Sequence, residues 1–246
     1  MIGILDSGSG GVNVIKECKK YYNEDFVYLI DNKNCPYGNK PPLQVQSIVI
    51  NNLMYLINHY DLDFIIVGCN TASALLPYNI LEEFAVPVLK TKPDMHSLAQ
   101  QKNITCLFAT KNTIKYSNFI KYFLLNYNHI KTLYIKDLPK LIDEKLTKND
   151  EQTSKKIEKK LKNGVNFKKK LKMDCECIAL GCTHFKHIAK QIEDCFKNKI
   201  TMFECEKEVA KLSKYFVRKS KRECSVEIVL TEPNNALKKQ IIQMLL

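Results

Sequence analysis

Short β-rich runs alternate with segments of helical length along most of this chain of 246 residues. Runs rich in valine, isoleucine and aromatic residues predict strands at 2–5, 26–30, 64–68, 86–89, 105–109, 132–135, 177–181, 200–203 and 226–230. Segments long enough for helices lie between them, such as 42–59, 72–84, 112–125 and 186–197. Strands that alternate with helices form parallel sheets, because each helix carries the chain back to the start of the next strand. We therefore predict an α/β fold with mainly parallel sheets covered by helices.

Two of the predicted strands are followed by the same short pattern. "FIIVGCNTAS" (64–73) and "CIALGCTHF" (177–185) each end an apolar run in Gly-Cys, and a threonine, a helix and another β-rich run follow. Related units in two halves predict two α/β domains that face each other. Ligands of open α/β sheets bind beyond the carboxyl ends of strands, where Cys69 and Cys182 are expected to lie. We therefore expect the active site in the cleft between the domains, with one thiol on each side of a small molecule.

The chain carries ten cysteines, and we expect them to be reduced. Met1 leads directly into the apolar run "IGIL", and no apolar stretch approaches the roughly 20 residues of a membrane span. This pattern predicts a cytoplasmic protein without a signal peptide or a transmembrane helix. Disulfides are rare in that compartment, so most of the thiols should be small core residues.

The segment around Cys182 contains several residue types that bind zinc. They are Cys175, Cys177, Cys182, His184 and His187. Their spacing fits a zinc site poorly, because Cys175 and Cys177 alternate along a strand and no C-x-x-C pair is present. We therefore predict no metal here, and we expect Cys175, Cys177, Cys106 and Cys195 to pack in cores.

The chemistry of Cys69 and Cys182 points to proton transfer. A thiol has an unperturbed pKa of about 8.5, so modest local help makes both protonation states accessible near neutral pH. His184 lies two residues after Cys182, and Asp6, at the end of the first strand, is the candidate for Cys69. One ionised and one protonated thiol on opposite faces of a carbon acid remove a proton from one side and return one to the other. The expected reaction is racemisation.

Two glycine-containing turns follow the first two strands. In "DSGSGG" (6–11) the glycines permit a tight turn before a helix whose N-terminus offers N–H donors to an anion. The segment is neither a P-loop nor G-x-G-x-x-G, because no Gly-Lys follows and Asn13 replaces the last glycine. "CPYG" (35–38) is a turn by composition that can present Tyr37 and Gly38 to a ligand.

The motifs "DSGSGG", "PYG", "GCNTAS" and "LGCTHF", in this order and at these intervals, resemble the aspartate/glutamate racemase family, and its glutamate branch most closely. The resemblance extends over essentially the whole chain. It implies an isomerase that interconverts L- and D-glutamate with two thiols and no cofactor, and that supplies D-glutamate for peptidoglycan synthesis. The implied partner is glutamate, with no nucleic acid and no membrane, and a homodimer is an open alternative to a monomer.

The resemblance also assigns roles to residues. Cys69 becomes the base for D-glutamate, supported by Asp6, and Cys182 the base for L-glutamate, supported by His184. The implied substrate contacts are Ser7, Tyr37, Gly38, Asn70, Thr71 and Thr183. The implied domains are residues 1–92 with 205–246, and residues 93–204.

Some positions depart from the pattern of the family. The acidic helper near the middle of the chain falls in "KLIDE" (140–144), where Asp143 is our candidate and Glu144 the alternative. Tyr116 stands where the family has a small polar residue, and its ring can crowd the pocket. "FECEKE" (203–208) replaces a familiar turn. These departures leave open a racemase of the same mechanism that acts on aspartate or another amino acid.

The net charge of +12 is carried mainly by lysines, which are densest at 155–172. Ile157, Leu161 and Val165 recur every four residues there, which predicts an amphipathic helix with the lysines on its solvent face. The positive field attracts anionic substrates. The alternative is a weakly active relative that serves as a basic binding module, whose retention on nucleic acid would vanish with salt.

Overall fold

The structure is a computed structural model that describes residues 1–148, 150–167, 175–196, 200–217 and 223–246. The strands of the first sheet are β1 (Ile2–Asp6), β2 (Phe26–Ile30), β3 (Phe64–Val67), β4 (Val88–Lys90) and β9 (Val226–Leu230). The strands of the second sheet are β5 (Thr105–Ala109), β6 (Ile130–Leu133), β7 (Cys177–Gly181) and β8 (Thr201–Glu204). Their orders are β4-β3-β1-β2-β9 and β6-β5-β7-β8, and the neighbouring strands pair in parallel. The prediction of an α/β fold with parallel sheets is confirmed.

Helices connect the strands and cover the sheets. They are α1 (Gly11–Cys18), α2 (Pro42–His59), α3 (Asn70–Leu75), α4 (Tyr78–Leu81), α5 (Met95–Ala99), α6 (Lys111–Tyr116), α7 (Asn118–Asn126), α8 (Leu138–Lys148), α9 (Glu151–Phe167), α10 (Ala189–Glu193), α11 (Glu206–Ser213) and α12 (Asn235–Leu245). Short 3-10 helices occupy Asn32–Asn34, Tyr37–Asn39, Thr183–Ile188 and Lys214–Phe216. Among the described residues, no helix is long and apolar enough to cross a membrane.

The elements differ from the sequence prediction where a residue interrupts the backbone pattern. The expected helix at 72–84 is two helices, because the residue before a proline avoids helical torsion angles and Leu76 before Pro77 is extended. The expected helix at 112–125 is also divided, at Ser117, whose hydroxyl oxygen caps α7 by accepting from the N–H of Ile120 (3.2 Å). Strand β4 begins at Val88 because Pro87 has no N–H to donate to a sheet.

Each sheet is buried on both faces. In the first sheet, Ile4 and Tyr28 pack with α1 and α12, whereas Leu5 and Leu29 pack with α2 on the opposite face. Successive residues of a strand point to opposite faces, so these continuous apolar strands fill two cores at once. Burial of each such side chain stabilises the fold by roughly 1.5–3 kcal/mol. The strand ends, which the apolar cores do not use, are left for polar residues.

The lysine-rich segment and the structural cysteines behave as the sequence indicates. Ile157, Leu161 and Val165 of α9 are buried against the second sheet, which confirms the amphipathic helix, and residues 168–172 lie outside the described part of the chain. All ten cysteines carry thiols rather than disulfides. The four that we expected to pack in cores, namely Cys106, Cys175, Cys177 and Cys195, do so in the second sheet's clusters.

The chain returns to its first sheet at the end. Strand β9 pairs with β2 although the second sheet lies between them in sequence, and β8 at Thr201–Glu204 still belongs to the second sheet. The exact domain limits, 1–92 with 205–246 and 93–204, stay a prediction.

Candidate active site

The carboxyl ends of the two sheets meet. Strand β1 ends at Asp6, and β7 is followed by Cys182 and Thr183. The hydroxyl of Thr183 donates to Oδ2 of Asp6 (2.9 Å), and the side-chain amide of Asn13 donates to the backbone oxygen of Thr183 (2.9 Å). Residues 170 and 177 positions apart in sequence are therefore in direct contact where the active site was expected.

Cys69 follows β3 and precedes α3. Its side chain is only 6% exposed, and its Sγ lies 3.6 Å from the hydroxyl oxygen of Ser7. Burial raises the pKa of Cys69 to about 12, and the carboxylate of Asp6 adds to this shift. The N–H of Ala72 and the hydroxyl of Ser7 act in the opposite direction. At neutral pH this shift keeps Cys69 as a protonated thiol.

Cys182 stands at the end of a chain of polar contacts. Its Sγ lies 3.8 Å from Nδ1 of His184, and Nε2 of His184 lies 3.3 Å from Oδ2 of Asp143. Ser9 donates to Oδ1 of Asp143 through its hydroxyl and its backbone N–H. The contact selects Asp143 over Glu144, whose carboxylate lies 4.0 Å from Lys140 on the surface of α8. The chain Ser9–Asp143–His184 thus ends beside the second thiol.

The pairing of Asp143 with His184 sets the direction of the pKa shifts of both residues. Burial alone would lower the pKa of His184, but the Asp143 carboxylate, with contacts to Cys182 and Cys35, raises it well above its ordinary value. Burial would raise the pKa of Asp143, but His184 and Ser9 hold it below its ordinary value. A protonated imidazole beside a thiol favours the thiolate. The surroundings of Cys182 therefore differ in kind from those of Cys69.

Asp6 lies between the two strand ends rather than against one thiol. It is completely buried, accepts from the N–H of Gly8 (3.2 Å) and from Thr183, and burial raises its pKa. Its carboxylate faces Gly68, where a Cβ would stand 3.2 Å from Oδ2. Its influence on Cys69 is through its charge, which favours the protonated thiol.

The polar residues after β3 face the second sheet. The hydroxyl of Thr71 lies 2.8 Å from that of Thr110 and 3.1 Å from that of Thr113. Asn70 is buried and donates to Sγ of Cys205 (3.1 Å), while its Oδ1 has no hydrogen-bond partner among the described residues. An unpaired buried oxygen is costly, so this atom is available to a donor on a ligand.

Tyr37 and Gly38 lie near the site but in different roles. The Tyr37 hydroxyl donates to Oδ2 of Asp31 (2.5 Å), so it points to the end of β2. Gly38 allows a close approach of the second sheet, because a Cβ there would lie 2.7 Å from Cβ of Thr110. In the structure both residues support the wall of the site.

The glycines of "DSGSGG" provide space rather than unusual torsion angles. No glycine of the chain has a positive φ. A Cβ at Gly8 would overlap the Asp143 carboxylate and the ring of His184. A Cβ at Gly10 would lie 2.6 Å from Cβ of Thr183. These two positions let the loop after β1 touch the residues after β7.

A cavity of about 370 Å³ opens beside the site. Its wall includes Asn70, Thr113 and Tyr116, so the ring that replaces a small polar residue of the family does border the space next to Thr71. Lys90 also lines it, with its Nζ 3.9 Å from the centre of the Tyr78 ring, and burial lowers the pKa of Lys90 to about 8. The cavity offers anionic molecules a partly basic approach.

Sequence reasoning missed four residues at the site, namely Ser9, Cys35, Thr110 and Cys205. Ser9 and Cys35 stood inside quoted motifs but carried no role, and Cys205 stood in "FECEKE", which departs from the family. His187, considered as a zinc ligand, instead has Nε2 3.3 Å from the backbone oxygen of Ser9, and burial lowers its pKa to about 4.

Comparisons with known proteins agree with this arrangement. No family model matches the chain. The glutamate racemase of Clostridium botulinum (strain Okra / Type B1) is 30% identical over 209 residues, which cover 82% of this chain and 78% of the relative. The structure of Escherichia coli glutamate racemase with L-glutamate and the activator UDP-MurNAc-Ala matches with a TM-score of 0.84 and 21% identity, over 99% of this chain and 93% of that chain. The structure of the Francisella tularensis subsp. tularensis SCHU S4 glutamate racemase with D-glutamate matches with a TM-score of 0.78 and 22% identity, over 99% of this chain and 92% of that chain.

Similarity to the Clostridium protein spans most of both chains, so the protein is an amino-acid racemase, a class of isomerases. More particularly, the chain belongs to the glutamate racemase family.

Proposed function

We propose that this chain interconverts L- and D-glutamate without a cofactor, with Cys69 and Cys182 as its two acid–base groups. One observation carries the proposal. Two nearly buried thiols, 6% and 7% exposed, follow β3 and β7 where the sheets meet, and their electrostatic surroundings are opposite. Cys69 is held protonated, whereas Cys182 lies beside an imidazole whose pKa is raised by Asp143.

In the direction from L- to D-glutamate, the Cys182 thiolate takes the proton from Cα. The Cys69 thiol then gives its proton to the opposite face of the carbanion. The products of this step are D-glutamate, a Cys182 thiol and a Cys69 thiolate, which is the starting state of the reverse reaction. Ion pairing with Asp143 keeps the imidazole of His184 cationic throughout, so His184 positions and stabilises the thiolate.

The hydroxyls and the amide around the thiols suit an amino acid with two carboxylates. Ser7 and Thr71 can donate to carboxylate oxygens, Thr183 can do so once its hydrogen bond to Asp6 opens, and the unpaired Oδ1 of Asn70 can accept from the ammonium group. The net charge of +12 raises the local concentration of an anionic substrate. We infer that glutamate is preferred over aspartate, and that Tyr116 sets how much longer a substrate the cavity accepts.

The test is a panel of amino acids in deuterium oxide, in which circular dichroism records inversion and proton NMR records exchange at Cα. We expect the highest kcat/KM for glutamate, and a higher value for aspartate would favour the alternative substrate. Cys69→Ala and Cys182→Ala should abolish inversion, whereas Cys195→Ser, which alters a thiol of the second sheet's core cluster, should not. Loss of turnover after dialysis against EDTA, restored by zinc, would contradict a cofactor-independent mechanism.

The cellular role follows from the product. We propose that the chain supplies D-glutamate for peptidoglycan in the cytoplasm, and growth of a D-glutamate auxotroph that expresses it would test this role. The same experiment with Cys182→Ala should fail. Whether the enzyme forms the homodimer left open above is measured by sedimentation at several concentrations.

A further inference from the structure

Three side chains from separate parts of the chain place metal-binding atoms together next to Cys182. They are Sγ of Cys35, Oδ2 of Asp143 and Nε2 of His184, and all three lie within 4.8 Å of one another. The Cys35–Asp143 distance is 3.7 Å and the His184–Asp143 distance is 3.3 Å. Cys35 comes from the turn after β2, Asp143 from α8 and His184 from the 3-10 helix after β7. This set differs from the zinc ligands considered in the sequence analysis, which all lay within residues 175–187.

The distances fit a tetrahedral zinc ion. Zinc binds sulfur at about 2.3 Å and nitrogen or carboxylate oxygen at about 2.0–2.1 Å, so tetrahedral angles place N and O about 3.3 Å apart and S and O about 3.5 Å apart. The observed 3.3 Å and 3.7 Å differ little from these values. These two distances need to change by only about 0.2 Å, and the third pair, Sγ of Cys35 and Nε2 of His184, lies within 4.8 Å.

The neighbours of these atoms hold them in a suitable orientation. Ser9 donates to Oδ1 of Asp143, which leaves Oδ2 for a metal and fixes the plane of the carboxylate. The other ring nitrogen of His184 faces Cys182. Cys35 and Asp143 are only partly buried, and a zinc site with three protein ligands keeps a fourth position for water.

We infer that Cys35, Asp143 and His184 bind one zinc ion, or a cation of similar chemistry, and that this ion inhibits racemisation. Magnesium and calcium prefer oxygen ligands only, so the mixed sulfur, nitrogen and oxygen set excludes them as good occupants. The inhibitory half of the inference rests on the proposed function, whereas the binding half does not.

Inhibition follows from where the ion sits relative to Cys182. A metal on Nε2 keeps the proton of the neutral ring on Nδ1, which then donates to the sulfur of Cys182. The ion also takes Nε2 of His184 and Oδ2 of Asp143, the two atoms that pair with each other in the proposed mechanism. The imidazole therefore loses the partner that positions it beside Cys182, and proton transfer at Cys182 slows. Since the enantiomers have equal free energies, kcat/KM falls by the same factor in both directions.

Cobalt(II) is the probe of binding, because tetrahedral cobalt with a thiolate ligand absorbs in the near ultraviolet and the visible. Titration of the full chain should produce these bands at one equivalent, and zinc should abolish them by displacement. Cys35→Ser and Cys35→Ala should lose the thiolate band and raise the zinc concentration for half inhibition at least about tenfold. Each variant's inhibition is compared with its own metal-free rate, and Cys195→Ser is the matched thiol control.

The outcomes separate binding from function. Absence of the bands in the unaltered chain, or their persistence in both Cys35 variants, would overturn the site. Bands that depend on Cys35 without any inhibition by zinc would support the site and overturn its effect on the reaction. If the chain racemises no amino acid, the bands still decide whether the site exists, and the proposed function fails independently.

Discussion

Replacement of Gly10 by alanine tests whether the glycines of the first loop act through space. Gly10 has φ −61° and ψ −33°, which alanine adopts without strain, so a backbone effect is not expected. The new methyl group would instead overlap Oγ1 of Thr183, which donates to Asp6, and would lie 2.6 Å from Cβ of Thr183 and 3.0 Å from the backbone nitrogen of His184. Rotation of the Thr183 hydroxyl relieves only the first contact, so the segment after β7 must move.

The overlap fixes how far Thr183 must be displaced. Cβ of Thr183 must retreat by about 0.4 Å to reach 3.0 Å and by about 0.8 Å to reach 3.4 Å, where ordinary contact begins. This shift lengthens the hydrogen bond from Thr183 to Asp6 and moves Cys182 away from Cα. A misplacement of 1 Å can cost about 100-fold in rate, so we expect kcat/KM to fall about 10- to 100-fold. Overpacking costs about 1–3 kcal/mol of stability, and alanine regains up to about 1 kcal/mol by restricting the unfolded chain.

The assay measures kcat/KM for glutamate by circular dichroism, with thermal unfolding followed on the same samples. Gly164→Ala is the control for an added methyl group on a helix of the second sheet, because a Cβ there would lie 2.8 Å from Cδ1 of Ile135, the flexible end of a side chain. It should change stability and leave the rate unaltered. If Gly10→Ala keeps the full rate, or if both variants lose rate equally, the proposed spatial role of Gly10 is wrong.

Three further predictions concern the thiols and their neighbours. In Cys182→Ser, Cys69 should exchange the Cα proton of D-glutamate only. In Cys69→Ser, Cys182 should exchange the Cα proton of L-glutamate only. Proton NMR that shows exchange of both enantiomers in one variant would contradict the assignment. Asp143→Asn should lower kcat/KM about 10- to 100-fold at neutral pH. The deficit should shrink only at a pH below the ordinary histidine pKa of about 6.5, because burial lowers the pKa of His184 once its partner is neutral; a deficit independent of pH would refute this role. Finally, the raised pKa of His184 means that its contribution to the free energy of unfolding is complete below its unfolded pKa and is lost as the pH rises through its folded pKa. The stability difference between the unaltered chain and His184→Asn, from urea titrations, should therefore narrow towards alkaline pH, and a difference that grows instead would reverse the sign.

Much of the fold was accessible from the sequence because it depends on local patterns. Nine apolar runs gave the strands within about three residues, and Gly-Cys after two of them gave the positions of the thiols, since strand ends in parallel sheets are where polar residues collect. The break before Pro77 was also encoded locally. We expected one helix at 72–84, although the restriction that Pro77 places on the residue before it was already a signal for two helices.

Contacts between distant segments could not be deduced in the same way. Asp143 and Glu144 are adjacent carboxylates in the sequence, and only the packing of α8 decides which of them faces His184. Likewise, a glycine that makes room for a side chain 173 positions away looks in the sequence like any glycine of a turn. The partners of Cys35 belong to the same category, because three separate segments bring them together.

The hydrogen bonds between the two sheets also limit how tightly this enzyme can hold its substrate. Thr183 donates to Asp6, Asn13 donates to Thr183, and Thr71 pairs with Thr110, while both thiols stay almost inaccessible. If glutamate enters by separating the two strand ends, these bonds break, and each contributes about 0.5–1.5 kcal/mol. If all three must open, the accessible form is disfavoured by about 1.5–4.5 kcal/mol, and the apparent dissociation constant exceeds the intrinsic one by about 10- to 2000-fold. Protection of the carbanion from water and weak apparent affinity are thus two results of the same closure.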